Sequence, residues 1–209
     1  MKNKFLITVL AVLLCAGSVW CFRVLRPNPE ELLKKRIAER SRGNPKAAIW
    51  ITEYFDYQCP PCAVARKNLD EVLKKSPDKV YLQVRYFPLA AHKNAMKAAV
   101  YAECASRQPG KFWKFHEQLF EHQTEWAMDP YAELKFLGYA QNAELDLPRW
   151  DVCIKDPSVE RFIIEEKAKG ESLGVKITPS FFVNGKLVVG VNGLTEELKK
   201  LESQDAPKP

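Results

Sequence analysis

The chain has 209 residues, 46% hydrophobic and 11% aromatic, which is enough to bury a core and too apolar for a disordered tail. Its net charge of +6 does not mark a nucleic-acid binder, because residues 1–22 carry +2, residues 23–46 carry +5, and residues 47–209 balance 22 basic against 23 acidic side chains. Positive charge gathered at one end suits anionic lipid head groups, and no nucleic-acid partner is expected.

The first element is a charged start, Met1 to Lys4, followed by the apolar run "FLITVLAVLLCAGSVWCF" that stops at Arg23. Residues 1–22 therefore read as a signal peptide or a membrane anchor, a length at the boundary between the two. Ala16-Gly17-Ser18 offers small residues for cleavage, with an uncut anchor as the rival reading. Cys15 follows Leu14 and Cys21 follows Trp20, neither of which suits lipid attachment. Either reading exports the body of the protein to the periplasm or cell envelope, where disulfides persist. Residues 23–45 then read as a charged spacer, with a short helix pattern through Leu32, Leu33 and Ile37 closed by Gly43 and Pro45; a helix packed on the domain is the alternative.

From residue 46 the pattern is that of a folded domain. "AAIWITEYF" (47–55) is a continuous apolar run, as expected of a strand buried on both faces, and "AVARKNLDEVLKK" (63–75) repeats its apolar residues at helical spacing. "KVYLQVRYFP" alternates like a strand until Pro88, which completes a strand-helix-strand unit of right-handed parallel type. Residues from about 90 to 172 are helical. Phe112, Phe115, His116, Leu119 and Phe120 form one stripe there, and Asp129-Pro130 and Asp156-Pro157 each supply a cap followed by proline at the first helical position. "SFFVNGKLVVG" is a hairpin turned at Asn184-Gly185, and "LTEELKKLES" is a closing amphipathic helix. The order predicts an α/β fold, a thioredoxin fold interrupted by a helical subdomain, over residues 46–209.

Within "EYFDYQCPPC" (53–62), Cys59 and Cys62 fall at the junction of a buried strand and a helix. With Cys59 as the cap, Pro60 and Pro61 occupy the first two helical positions, where a missing N–H breaks no intrahelical bond. The Cys59 sulfur is then exposed to the positive helix end and to free N–H groups, including that of Cys62, which favour a thiolate nucleophile. Cys62, one turn on and facing inward, suits a resolving cysteine. Glu53, six residues before Cys59 in an apolar strand, lies beneath the pair, and burial would raise its pKa into the range for proton exchange with Cys62.

A zinc site would need two further ligands at matching spacing, and no second pair exists; no metal and no cofactor are expected. His92, His116 and His122 lie in the helical insertion, His92 starting a helix and reading as a surface residue near the active site, and His116 reading as a core histidine. Phe112, Trp113 and Phe115 read as core packing rather than a peptide groove, and Trp126 carries no signal. Cys104 and Cys153 remain once the leader cysteines are set aside, and in an oxidising compartment they are expected to form a structural disulfide.

"EYFDYQCPPC", "HKNAMKAAVYAECA" followed by "GKFWKFHEQLF", and "GVKITPSFFVNG", with the helical insertion between them, resemble the DsbA-like thiol–disulfide oxidoreductases of bacterial cell envelopes, in the thioredoxin superfamily. The resemblance covers about residues 46–203. It implies that Cys59 is the nucleophile, Cys62 the resolving cysteine, and Glu53 the acid assisting proton transfer. It further implies that Pro179 follows a cis bond and faces the disulfide, and that the Thr178 backbone pairs with an extended substrate segment. The expected activity is oxidation of cysteines in exported proteins, with reoxidation by a membrane quinone-linked partner. A reductase or isomerase using the same site is the alternative, as is a chaperone-like binding module in which the cysteines are a staple. Two features depart from the pattern: Pro60-Pro61 offers no side-chain donor to the thiolate, and no clear first strand precedes "AAIWITEYF".

Overall fold

The computed structural model describes residues 28–204. The apolar leader, Cys15, Cys21 and the Ala16-Gly17-Ser18 stretch lie outside the described residues. The chain divides into two units, Met1–Arg36 and Ile37–Pro209. Helix α1 (Pro29–Glu39) begins where Asn28 Oδ1 accepts from Glu30 N at 3.0 Å, satisfying one free N–H of its first turn. Glu30 and Lys34 pair along it at 3.1 Å, four residues apart.

The second unit is built on five strands, β1 (Ser41–Gly43), β2 (Ile49–Phe55), β3 (Val80–Tyr86), β4 (Ser180–Val183) and β5 (Lys186–Val189), in the order β1-β3-β2-β4-β5. β2 and β3 are parallel and joined through helix α2 (Pro60–Lys75), as the strand-helix-strand pattern predicts; the other neighbours are antiparallel. β2 is central; Glu53, Tyr54 and Phe55 are buried on both of its faces, which is why its second half does not alternate, while Trp50 near its start is exposed. Ile49, Ile51 and Phe55 face one core with Leu69 of α2. Tyr54 faces the other, against Phe87 and Val175. The β4–β5 hairpin turns at Asn184 and Gly185, with φ of 47° and 85°, the left-handed pair that this dipeptide favours.

Between β3 and β4 the chain forms helices α3 (Ala95–Ser106), α4 (Phe112–Glu121), α5 (Gln123–Trp126), α6 (Ala132–Asn142), α7 (Leu147–Ile154) and α8 (Pro157–Ser172), and α9 (Gly190–Gln204) ends the described chain. Phe112, Phe115 and His116 are buried in the core, with Trp113 packed against it. Asp156 caps α8 through Ser158 N, with Pro157 at the first position. Asp129-Pro130 differs from the cap expected there: Asp129 Oδ1 accepts from Tyr131 N in a turn, and α6 begins only at Ala132. Where α8 crosses the sheet, Gly170 is required, because a Cβ there would lie 2.7 Å from the Tyr54 ring.

The first strand that the sequence did not reveal is β1, three residues paired antiparallel with β3. Arg40, which precedes it and reads as a solvated spacer charge, is completely buried. Its Nη1 and Nη2 donate to the two oxygens of Glu166 on α8 at 2.6 and 2.7 Å, and its guanidinium lies 4.6 Å from the Tyr86 ring centre. Arg85 donates to the same carboxylate at 2.8 Å. Burial alone would raise the Glu166 pKa; the two arginines outweigh it and hold the carboxyl below its ordinary value.

Candidate active site

Cys59 is the N-cap of α2, in extended conformation (φ −79°, ψ 116°), with Pro60 and Pro61 opening the helix. Neither proline has an N–H to leave unpaired, so the turn forms with its first available donor at Cys62, whose N–H reaches Cys59 O at 3.0 Å. Cys59 and Cys62 are free thiols in this structure. Cys62 is fully buried and Cys59 is 5% exposed, so the access that remains to the pair belongs to Cys59. This is a more covered sulfur than the helix-end reading anticipates, because the loop before β4 packs over it: Cys59 Sγ donates to Thr178 O at 3.4 Å.

The two thiols differ in acidity. A hydrogen bond from Cys62 is the largest influence on Cys59, and with Thr178 and the Cys62 N–H it lowers the Cys59 pKa to about 6, against burial and the nearby Asp56 carboxylate. Burial pushes Cys62 well above the ordinary thiol value, and the same hydrogen bond and Glu53 add to the rise. Thr178 Oγ1 is buried and makes no hydrogen bond in this structure, while Thr178 O accepts from Cys59 Sγ.

Glu53 lies on β2 between Val84 of β3 and Phe181 of β4, and is 3% exposed. Its Oε1 is buried without a hydrogen-bond partner. Desolvation, with smaller contributions from Asp70 and Cys59, raises its pKa to about 8, so it is mostly protonated at neutral pH. The Thr178-Pro179 peptide bond is cis, and Ser180 immediately after it pairs with Tyr54 at the end of β2. Glu53, Cys59, Cys62 and Thr178 thus come together at one end of the sheet. Cys104 and Cys153 are elsewhere, joined to each other between α3 and α7 by a disulfide of S–S 2.02 Å.

Several residues of the site carried no sequence signal. Asp56 is buried, and its carboxylate accepts from Gln58 N (2.7 Å), Leu89 N (2.8 Å) and His92 Nδ1 (2.7 Å). His92 precedes α3 instead of starting it, and is held by Asp56 rather than free on the surface. Gln123 Nε2 donates to the carbonyls of Tyr57 at 2.7 Å and Cys59 at 3.0 Å. Asn94 N donates to Gln58 Oε1 at 2.8 Å. The loop of residues 56–59 is therefore fastened from the helical insertion. An Asp three residues before a helix cap hints at a turn, but nothing local identifies Gln123 or Asn94. His116, expected in the core, also meets this loop: its Nδ1 lies 2.9 Å from Tyr57 Oη, and burial lowers its pKa well below the ordinary value. Trp126 is fully buried and donates to Leu119 O at 2.8 Å. Among the described residues no group of three or more His, Cys, Asp or Glu side chains is placed to hold a metal ion.

Known proteins share this architecture. A structure described as a thioredoxin-like oxidoreductase from Silicibacter pomeroyi DSS-3 is 28% identical, with a TM-score of 0.65 over 80% of this chain and 92% of that one. The alpha-DsbA1 structure from Wolbachia pipientis is 22% identical, with a TM-score of 0.68 over 87% of this chain and 94% of that one, and BdbD from Bacillus subtilis is 20% identical at 0.67 over 78% and 93%. Both share the fold. Curated relatives include a Mycolicibacterium gilvum protein named Na(+)/H(+) antiporter NhaA 1, 33% identical over 170 residues that make up 78% of this chain and 25% of that protein. A Salinispora arenicola protein of the same name is 37% identical over 146 residues, 69% of this chain and 21% of that one. The chain spans about a quarter of the length of the curated relatives it matches, and among the described residues no helix is long and apolar enough to cross a membrane. Ion transport is thus named for proteins of which this chain matches only a part. The family described as Thioredoxin matches residues 35–202, and the chain belongs to that family, with a DsbA-like fold.

Proposed function

We propose that the chain is an envelope thiol–disulfide oxidoreductase that passes a Cys59–Cys62 disulfide to cysteines of exported proteins. The observation that carries this reading is the opposed acidity of two adjacent thiols above a buried, protonated carboxyl. A substrate thiolate attacks Cys59 Sγ of the oxidised pair. The Cys59–Cys62 bond breaks, and its electron pair leaves on Cys62, whose high proton affinity is met by the proton of Glu53. A second substrate thiolate then attacks the substrate sulfur of the mixed disulfide, and Cys59 departs as a thiolate that stays ionised at neutral pH. The Thr178 backbone pairs with the extended substrate segment during the exchange.

Stabilising the Cys59 thiolate stabilises the reduced form, which supports the oxidising direction over a reductase or isomerase. A quinone-linked membrane partner would restore the disulfide, and the apolar leader would place the domain outside the cytoplasm. The test is oxidation of a dithiol peptide by the oxidised protein, alongside Cys59→Ser and the reduction potential. Turnover lost in Cys59→Ser, with a potential nearer about −120 mV than about −270 mV, supports the oxidase. A potential at the lower end favours the reductase. Full activity in the variant would reduce the cysteines to a staple in a binding module.

A further inference from the structure

We propose that a cavity over the Cys104–Cys153 bridge is a second exchange site, one that takes small thiols bearing carboxylates. The cavity, about 280 Å³, is walled by both cysteines with Arg107, Arg149 and Asp156. Its two sulfurs are not equivalent: Cys153 is half-buried, whereas Cys104 is only 1% exposed. An incoming thiolate therefore reaches Cys153 Sγ, and Cys104 is the leaving group.

Arg107, the C-cap of α3, lies three residues beyond Cys104 and so on the same helix face. Its Nε and Nη2 are buried and make no hydrogen bond. The acids near it stand at ion-pair distances only, Nε to Glu103 Oε1 at 3.5 Å and Nη1 to Asp156 Oδ2 at 3.8 Å. Asp156 is committed elsewhere, since its carboxylate accepts from Ser158 N at 2.9 Å and Ser158 Oγ at 2.7 Å. A partly buried guanidinium with N–H groups to spare thus lines the same cavity as the sulfur that must depart as an anion.

Arg149, exposed in the first turn of α7, donates through Nη2 to Arg107 O at 3.3 Å and keeps further N–H groups at the cavity rim. A planar fork of this kind suits a carboxylate. The exchange balances as follows. The thiolate's electron pair forms a new bond to Cys153 Sγ as the Cys104–Cys153 bond breaks, and the displaced pair leaves on Cys104. A second small thiolate attacks the small-molecule sulfur, releasing its disulfide and Cys153 as a thiolate. Protons lost by the two small thiols are taken up by the two cysteines. The bridge is thereby a redox element distinct from the Cys59–Cys62 pair.

The test incubates the oxidised full chain with glutathione, which carries two carboxylates, or with cysteamine, which carries a cation. Each thiol's rate is normalised against a small uncharged disulfide, and mixed disulfides are located by peptide mapping after alkylation. The proposal expects a glutathione adduct at Cys153, formed about tenfold faster than the cysteamine adduct, the scale of one charge-assisted hydrogen bond. It expects the preference to fall in Arg149→Gln and to be only partly kept in Arg149→Lys, which retains the charge but not the fork. Equal normalised rates, an adduct at Cys104 instead, a bridge inert to both thiols, or a preference unchanged in Arg149→Gln would each overturn it. Adducts at Cys59 are read from a separate peptide, so failure here is independent of the activity proposed for that cysteine.

Discussion

Gln123 donates through Nε2 to the carbonyl of Cys59 at 3.0 Å, from a helix 64 residues further along the chain. The same nitrogen holds Tyr57 O at 2.7 Å, so one amide fixes the backbone on both sides of Gln58. Gln123→Leu removes the donor from the Tyr57 carbonyl and leaves Cys59 O with the Cys62 N–H. It should lower stability by roughly 1–3 kcal/mol, measured by urea unfolding of the reduced protein.

Glu53 and Cys59 pull the pH dependence of stability in opposite directions. Glu53 has its folded pKa raised from 4.5 to about 8, so the folded state holds a proton that the unfolded state has lost, and stability falls as pH rises through that window. The reduced Cys59 has its folded pKa lowered from 9.0 to about 6, so its contribution grows with pH between those values and is lost as pH falls through about 6. Glu53→Gln should remove the Glu53 decline and leave the reduced protein more stable at pH 8 by at least about 2 kcal/mol. Unfolding curves of the parent and variant from pH 5 to 8.5 measure the difference, and curves that stay parallel across that range would rule out a buried, titrating Glu53.

Thr178 is among the groups that lower the Cys59 pKa. Thr178→Val should therefore move the Cys59 pKa upward from about 6, towards its ordinary value, while Thr178→Ser retains most of the lowering. The pH profile of alkylation at Cys59 reads this directly, with the slow reaction of fully buried Cys62 as the internal comparison.

The Cys104–Cys153 bridge joins residues 49 apart. Replacing both by alanine should destabilise the chain by about 4 kcal/mol in the chain-entropy account of a loop this long. Denaturant midpoints of the paired variant and the oxidised parent, without reductant, give the measurement.

How much was legible in the sequence varies with the range of the interaction. The cap at Cys59, its two prolines and the hairpin at Asn184-Gly185 were readable because backbone conformation there is set by residues within one turn. The parallel unit of β2, α2 and β3 followed from hydrophobic spacing, and Glu53 stood out as a charge inside an apolar strand. Arg40 could not be read in the same way. In sequence it is one more cation of a charged stretch, yet it is buried against Glu166, a partner 126 residues away. Its neighbour β1 escaped notice for the same reason, since "SRG" has no strand character and is held by its pairing to β3.

Local order along the chain thus determined most of the helices and strands, β1 excepted, and placed Cys59 and Cys62 at the start of a helix. Tertiary structure alone decided how covered Cys59 is, which N–H and carbonyl groups fasten its loop, and how far Glu53 is desolvated. Those quantities depend on Thr178, Gln123, Val84 and Phe181, all brought from distant parts of the chain. Burial and hydrogen bonding act through space, and the sequence records neighbours only along the backbone.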